Sequence, residues 1–279
     1  MYKFIQQILI TLFVVTSLVI QLPARSADAP VITLGVVPQQ AANVLANLWV
    51  PLTQYLSEET GLTVRFATAS SIPKFEQRLS ELAYDIAYMN PYHYVYYSEN
   101  YEYEAIAKQA DKYIKGILVT RKYSEINELS DLLGVTIAFP APGAFAASIL
   151  PRAELNLQEI NFTPRYVSSH DSVYLNVAKG FFVAGGGVMR TFNNMPESVR
   201  NQLNIFWTTQ PYTPHAFAVS PKVSVEDKVA IQKALEKLHT TDKGKAILTN
   251  LGMQQIATAH HTDWHDVRTL NISKDFVKQ

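Results

Sequence analysis

Cysteine is absent from the 279-residue chain. Its absence excludes a disulfide framework, a thiol nucleophile, a cysteine-based zinc site, an iron–sulfur cluster and a lipid-modified N-terminal cysteine. Net charge is absent as well. The 24 Lys and Arg balance 24 Asp and Glu, so the basic excess of a nucleic-acid or membrane-surface binder is missing. Several chemical signatures are also lacking. Gly185–Gly187 is flanked by neither G-x-G-x-x-G nor a G-K-[ST] ending, so it is no phosphate loop. No G-x-S-x-G elbow or HExxH pattern occurs, and Ser169, His170 and Asp171 are sequence neighbours, which do not by themselves make a triad. What is present is ordinary for a globular protein: 48% hydrophobic and 17% charged residues, at a length that fits one large or two ordinary domains.

One long uncharged run stands out at Ile8–Ile20 (ILITLFVVTSLVI). It suits the apolar region of a secretory signal better than a membrane span, which needs roughly 20 residues. Small residues then offer cleavage after Ser26 or Ala29, and the Ala27-Asp28-Ala29 pattern favours Ala29. Removing residues 1–29 leaves 22 cations and 23 anions. The expected product is a periplasmic monomer of about 250 residues, not lipid-anchored and nearly neutral.

Beyond the leader, β-branched runs alternate with segments of helical periodicity. Val31–Val37 reads as a strand ended by Pro38. Leu45, Leu48, Trp49, Leu52 and Leu56 recur at helical spacing up to Gly61, a C-cap. Strands are expected at Thr63–Ala67, Asp85–Met89, Gly116–Thr120, Val135–Phe139, Thr163–Val167, Ala184–Met189 and Asn204–Trp207, and Ala216–Ser220 is a further apolar segment. Helices are expected around Phe75–Leu82, Glu125–Leu133, Phe145–Leu155, Asp171–Lys179 and Glu226–Thr240. This alternation predicts parallel sheets with crossover helices, an α/β class in which ligands sit at the carboxyl ends of the strands. Four strand-end loops have unusual composition: Pro38-Gln39-Gln40, Met89-Asn90-Pro91-Tyr92, Pro140–Ala144 and Ser168–Asp171. Helix N-termini converging there form an anion site without net basic charge.

The motifs GVVPQ after the first strand, W-x-PL-x-x-YLS-x-x-x-G across Trp49–Gly61, DIAYMNPYHY at Asp85–Tyr94 and SSHDSVYLNVAKG at Ser168–Gly180 occur in order. In them the chain resembles the phosphate, phosphite and phosphonate-binding periplasmic proteins of ABC importers, the PhnD-like family. The resemblance implies a type II periplasmic-binding fold with two doubly wound lobes. Lobe one would be residues 30–119 plus 212–279 and lobe two residues 120–211, with hinges near Gly116–Arg121 and Thr208–His215. It implies a small oxyanion ligand and an inner-membrane permease as partners, no cofactor and no catalysis. A receptor signalling to a membrane histidine kinase is the alternative, and a periplasmic hydrolase a more remote one.

Carried over position by position, the family's anion cradle is altered. Pro142 and Pro151 keep its proline spacing, but Ala144, Phe145 and Ala146 stand where the family has hydroxyls, removing up to three hydrogen bonds of roughly 0.5–1.5 kcal/mol each. The family's histidine is His170, flanked by Ser169 and Asp171. Its acidic position falls on Val183, and Arg190 beyond offers the bidentate fork suited to carboxylate or phosphate. The expected ligand-binding set is Gln39, Asn90, Tyr92, Gly143, Ala144, Phe145, Ala146, Ser169, His170, Asp171, Arg190, Tyr212 and His215. Either backbone N–H groups at Gly143–Ala146 hold the oxyanion of an organic ligand larger than phosphate, or the site has diverged to another small molecule. Tyr92 is the expected ligand contact of the tyrosine cluster, with Tyr84 and Tyr88 near or in the strand. His260, His261 and His265 with Asp263 and Asp266 form a compact group in metal-ligand chemistry, but a solvated terminal helix accounts for it more simply.

Overall fold

The computed structural model describes residues 31–278; the leader expected at residues 1–29 lies outside them. Eleven strands in chain order are β1 Val31–Val36, β2 Thr63–Ala67, β3 Ile86–Met89, β4 Glu104–Gln109, β5 Gly116–Arg121, β6 Thr136–Phe139, β7 Thr163–Tyr166, β8 Ala184–Val188, β9 Leu203–Thr208, β10 Ala216–Val219 and β11 Ile256–Thr258. The helices are α1 Ala42–Thr60, α2 Ile72–Ser80, α3 Pro91–Tyr101, α4 Leu150–Leu157, α5 His170–Ala178, α6 Met189–Asn193, α7 Glu197–Arg200, α8 Val225–Lys237, α9 Asp242–Asn250, α10 His265–Arg268 and α11 Lys274–Lys278.

These strands form two sheets, ordered β11-β4-β10-β3-β1-β2 and β7-β6-β8-β5-β9. Both are mixed rather than parallel as expected. β1 pairs in parallel with β2 and β3, but β10 runs antiparallel to β3 and β4. In the second sheet β6 is parallel to β7 and β8, whereas β5 is antiparallel to β8 and β9. The reversal follows from the chain leaving one sheet and returning to it, which brings β10 back beside β3 from the opposite direction.

The strand Gly116–Arg121 belongs wholly to the second sheet, so the expected division at 119/120 falls inside a strand. The crossings are instead the segments 110–115 and 209–215. They are clasped by a two-residue bridge in which Ile114 N–H donates to Tyr212 C=O at 2.8 Å and Tyr212 N–H returns to Ile114 C=O at 3.0 Å.

Local sequence explains the main elements. α1 buries Leu45, Trp49, Leu52 and Leu56 on one side and stops at Gly61, whose φ of 68° suits a residue without Cβ. Pro51 lies inside α1 and supplies no N–H to Asn47 four residues back, but Asn47 is exposed, so water can take up the carbonyl. The expected helix Glu125–Leu133 reduces to one 3₁₀ turn, Leu129–Leu132. Asp131 accepts the N–H groups of Asn127 and Glu128 at 2.8 and 3.1 Å, and these bonds to the backbone compete with a longer helix. β4 and α3, not expected from periodicity, use a dense set of tyrosines as core: Tyr94, Tyr97 and Tyr103 are buried.

β8 is built from Ala184-Gly185-Gly186-Gly187-Val188 because helices lie on it at backbone distance. A Cβ on Gly186 would sit 2.0 Å from Ala147 O and 2.7 Å from the Phe139 ring, and one on Gly187 would sit 2.1 Å from Tyr174 Oη. Gly186→Ala should therefore overpack the sheet by about 1–3 kcal/mol, lowering the melting temperature by roughly 2–4 °C per kcal/mol for a chain of this size. Calorimetry that finds an unshifted melt would remove the close approach as the reason for glycine.

Candidate functional site

Three strand-end loops and the returning crossing meet between the sheets. After β1 the chain delivers Gln39, after β3 Asn90, after β6 the segment Gly143–Ala147, and near the start of β10 His215. Gln39, Asn90, Ala144, Phe145, Ala146, His170 and His215 all line one inner chamber. Its volume is about 10 Å³, close to what one water molecule requires. It adjoins a second, outer chamber of about 100 Å³ that shares Gln39, Ile114, Val188 and His215 and adds Tyr88, Arg190, Lys112, Tyr113 and Lys115.

The inner chamber is small because the loops bond directly to one another. Asn90 caps α3, its Oδ1 accepting His93 N–H at 2.8 Å, while its Nδ2 donates to Gly143 C=O at 2.9 Å. Both halves of the amide that seemed available to a ligand are thus committed to protein. A Cβ on Gly143 would lie 2.0 Å from Glu76 Oε1 and so would displace that carboxylate, which accepts from His93 Nε2 at 3.0 Å. A carboxylate behind the altered cradle opposes an anion placed there. Phe145 begins one turn of π-helix, Phe145–Ile149, and packs edge-on against Tyr212 at 5.6 Å.

His170 starts α5 and is fully buried. Its Nδ1 lies 3.2 Å from Thr191 Oγ1, its N–H donates to Gln39 C=O at 3.2 Å, and its Nε2 has no partner in the protein. Burial, and then the field of Arg190, depress its pKa to about 3. His215 is held well below the usual histidine range by burial first and Arg190 second. It stacks on Tyr88 at 5.0 Å. Because Gln39 Oε1 accepts from Arg190, its Nε2 is the donor to His215 Nε2 at 3.3 Å, which places the proton of neutral His215 on Nδ1.

The remaining expected residues are elsewhere. Tyr92 lines neither chamber: it packs in the core beside Tyr96, and burial with nearby Glu76 pushes its hydroxyl pKa up. Three residues past the end of β3, it has already entered the first turn of α3 and is buried. Ser169 caps α5 through Ser172 N–H at 3.1 Å. Asp171 is turned to Gln40 and Ala41, with a pKa raised by burial. Tyr212 belongs to the crossing clasp, its hydroxyl receiving Gln210 Nε2 at 2.7 Å. In place of Tyr92 the outer chamber presents Tyr88, whose alternation along β3 put it on the ligand side; its hydroxyl accepts from Arg190 at 3.4 Å. The terminal His and Asp residues serve structure. His261 lies between Tyr94 and Arg268, Asp263 pairs with Lys108, and Asp266 accepts Thr213 N–H.

A family model described as "ABC transporter, phosphonate, periplasmic substrate-binding protein" matches residues 34–264. The chain belongs to this family. Among curated proteins it is 24% identical over 217 residues to the phosphate-import protein PhnD of Mycolicibacterium smegmatis, covering 70% of this chain and 68% of that protein. Among solved structures it is similar to the binding-protein component of an ABC phosphonate transporter from Pseudomonas aeruginosa (TM-score 0.81, 18% identity, 88% of this chain and 86% of that one). It also matches PhnD1 of Prochlorococcus marinus in complex with methylphosphonate (TM-score 0.78, 18% identity, 86% and 98%). The fold of this phosphonate-family member is therefore the type II periplasmic-binding fold, and its homologues are substrate-binding proteins rather than enzymes. Membership makes it an exported component of an ABC importer, with a small ligand and an inner-membrane permease as partners.

The two buried histidines give a pH signature. Between pH 6.5 and 3 the unfolded chain holds a proton at position 170 that the folded protein does not, so stability is full above pH 6.5 and declines as pH falls toward 3. His215 is displaced in the same direction. His170 should lower the folding equilibrium constant by roughly tenfold per pH unit between about pH 6 and pH 3, and His215 acts in the same sense. Urea unfolding from pH 7 to 4 should show a shallower decline for His170→Gln; an identical pH dependence would mean that the imidazole is protonated in the fold.

Proposed function

We propose that the protein captures a small oxyanion-bearing molecule of the phosphonate or phosphate type in the cleft between its two sheets and delivers it to the permease. The observation that carries this reading is the convergence of Gln39, Arg190 and His215 at two joined chambers lying between the sheets, beside the paired crossings 110–115 and 209–215. The two sheets with their helices act as lobes, and the crossings act as the hinge. In the arrangement described, the lobes meet through Asn90 to Gly143, Gln39 to Arg190 and Asn194 to Gln40.

Opening would break these bonds and admit ligand, and ligand would shift the populations by its differential affinity for the closed form. Delivery to a permease is preferred to signalling through a kinase because the matched family is one of ABC-transporter components. The exported, signal-cleaved and unlipidated state remains part of the proposal, resting on the Ile8–Ile20 run and on the lack of cysteine.

Isothermal calorimetry with phosphate, phosphite, methylphosphonate and larger organophosphonates tests the reading. At least one should bind with a dissociation constant in the micromolar range or tighter, corresponding to about 8 kcal/mol or more, and be recovered chemically intact. Failure of every oxyanion to bind would sink it.

A further inference from the structure

The outer chamber differs from the inner in charge. Its lining includes three cations, Arg190, Lys112 and Lys115, and no carboxylate. Arg190 in particular is only partly exposed, and among the described residues it has no acidic partner within ion-pair distance. Its guanidinium is met by two neutral acceptors, the Gln39 amide oxygen and the Tyr88 hydroxyl, and lies 5.7 Å from the Tyr88 ring centre. A half-buried guanidinium without a counter-ion is costly to hold, and its fork is the geometry that carboxylate and phosphate oxygens match. The inner chamber has no Lys or Arg in its lining, room for about one water, and an Asn90 amide already spent.

Resting on the binding-protein reading above, we infer that the oxyanion is held in the outer chamber by Arg190 with Lys112 and Lys115, and that the ligand carries an organic substituent. Arg190 comes from the second sheet's side, while Lys112 and Lys115 come from the crossing, so an anion between them ties one lobe to the hinge. The carbon portion then lies against the stacked Tyr88 and His215 rings and Tyr113 at the rim. Apolar and aromatic surface of this kind adds nothing for inorganic phosphate but favours a substituted phosphonate or phosphate monoester. Gln39 acts as a neutral placeholder: its amide oxygen satisfies Arg190 and can yield to a charged oxygen, a stronger partner.

The test is calorimetric titration of phenylphosphonate and inorganic phosphate into the native protein, Arg190→Gln and the double variant Lys112→Gln/Lys115→Gln. Phenylphosphonate should bind native protein at least tenfold more tightly than inorganic phosphate. Arg190→Gln should weaken it thirtyfold or more. The double variant alters exposed side chains and so keeps the test independent of folding; it should cost at least fivefold and flatten the dependence on ionic strength. If both variants bind like the native protein while His170→Ala loses binding, the anion sits in the inner chamber; this inference then falls and the transport reading stands. If inorganic phosphate binds more tightly than phenylphosphonate, the organic substituent is wrong. Binding of no oxyanion at all overturns both readings.

Discussion

Arg190 and its neutral partners are the constraint around which the cleft is organised. A guanidinium between two sheets must be satisfied, and here an amide oxygen and a phenol do it without a carboxylate. The choice propagates. Gln39 can accept from Arg190 only if its nitrogen faces His215, and that fixes the neutral His215 tautomer. The positive field in turn helps hold both His170 and His215 uncharged. One cation is therefore kept, and two imidazoles are suppressed beside it. In a chain of zero net charge, a positive field of this kind is made locally rather than inherited from a basic surface.

Backbone proximity sets the second level of organisation. The glycines of β8 let Tyr174 and the Phe145–Ile149 turn approach the sheet to backbone distance. Tyr174 donates to Val188 C=O at 3.1 Å and accepts Val188 N–H at 3.0 Å, fixing the strand end from which Arg190 departs. The apolar core of the first sheet runs on into Ala144, Phe145, Ala146 and Val188 of the other side. Ala144 and Ala146 are thus consistent with their surroundings: they are buried and continue this apolar contact, and a buried hydroxyl there would require a partner of its own.

How far the sequence disclosed this depends on the range of the interaction involved. Periodicity located β2 to the residue, and the Gly61 cap located the end of α1, because both signals are local. The short strand-end motifs brought Gln39, Asn90 and His170 to one place, since motif order in an α/β chain encodes which loops share an edge. Long-range events were not legible. Periodicity gives no strand direction, so β10 entering antiparallel beside β3 was invisible; the Asp131 turn is local, but apolar spacing does not register a side chain that bonds the backbone. Tyr92 and Tyr88 show the same limit at the site. Composition marked the cluster, but where β3 stops decides between the rings: Tyr88 is still in the strand and lines the outer chamber, while Tyr92 has passed into α3.

Direct bonds between the lobes also bear on how binding is coupled to shape. Gln39, Gln40 and Asn90 from one side bond directly to Arg190, Asn194 and Gly143 from the other. The two amide bonds contribute roughly 0.5–1.5 kcal/mol net each and the one from the Arg190 cation roughly 1.5–3 kcal/mol, so these bonds themselves hold the two sides together. A ligand that replaces the Gln39–Arg190 contact adds only the difference between an amide oxygen and a charged one, plus the burial of its own substituent. Affinity in such a cleft depends less on closing it than on what is exchanged when it closes. That exchange favours ligands bringing apolar surface together with charge, because the charge alone must displace a partner that already satisfies the cation.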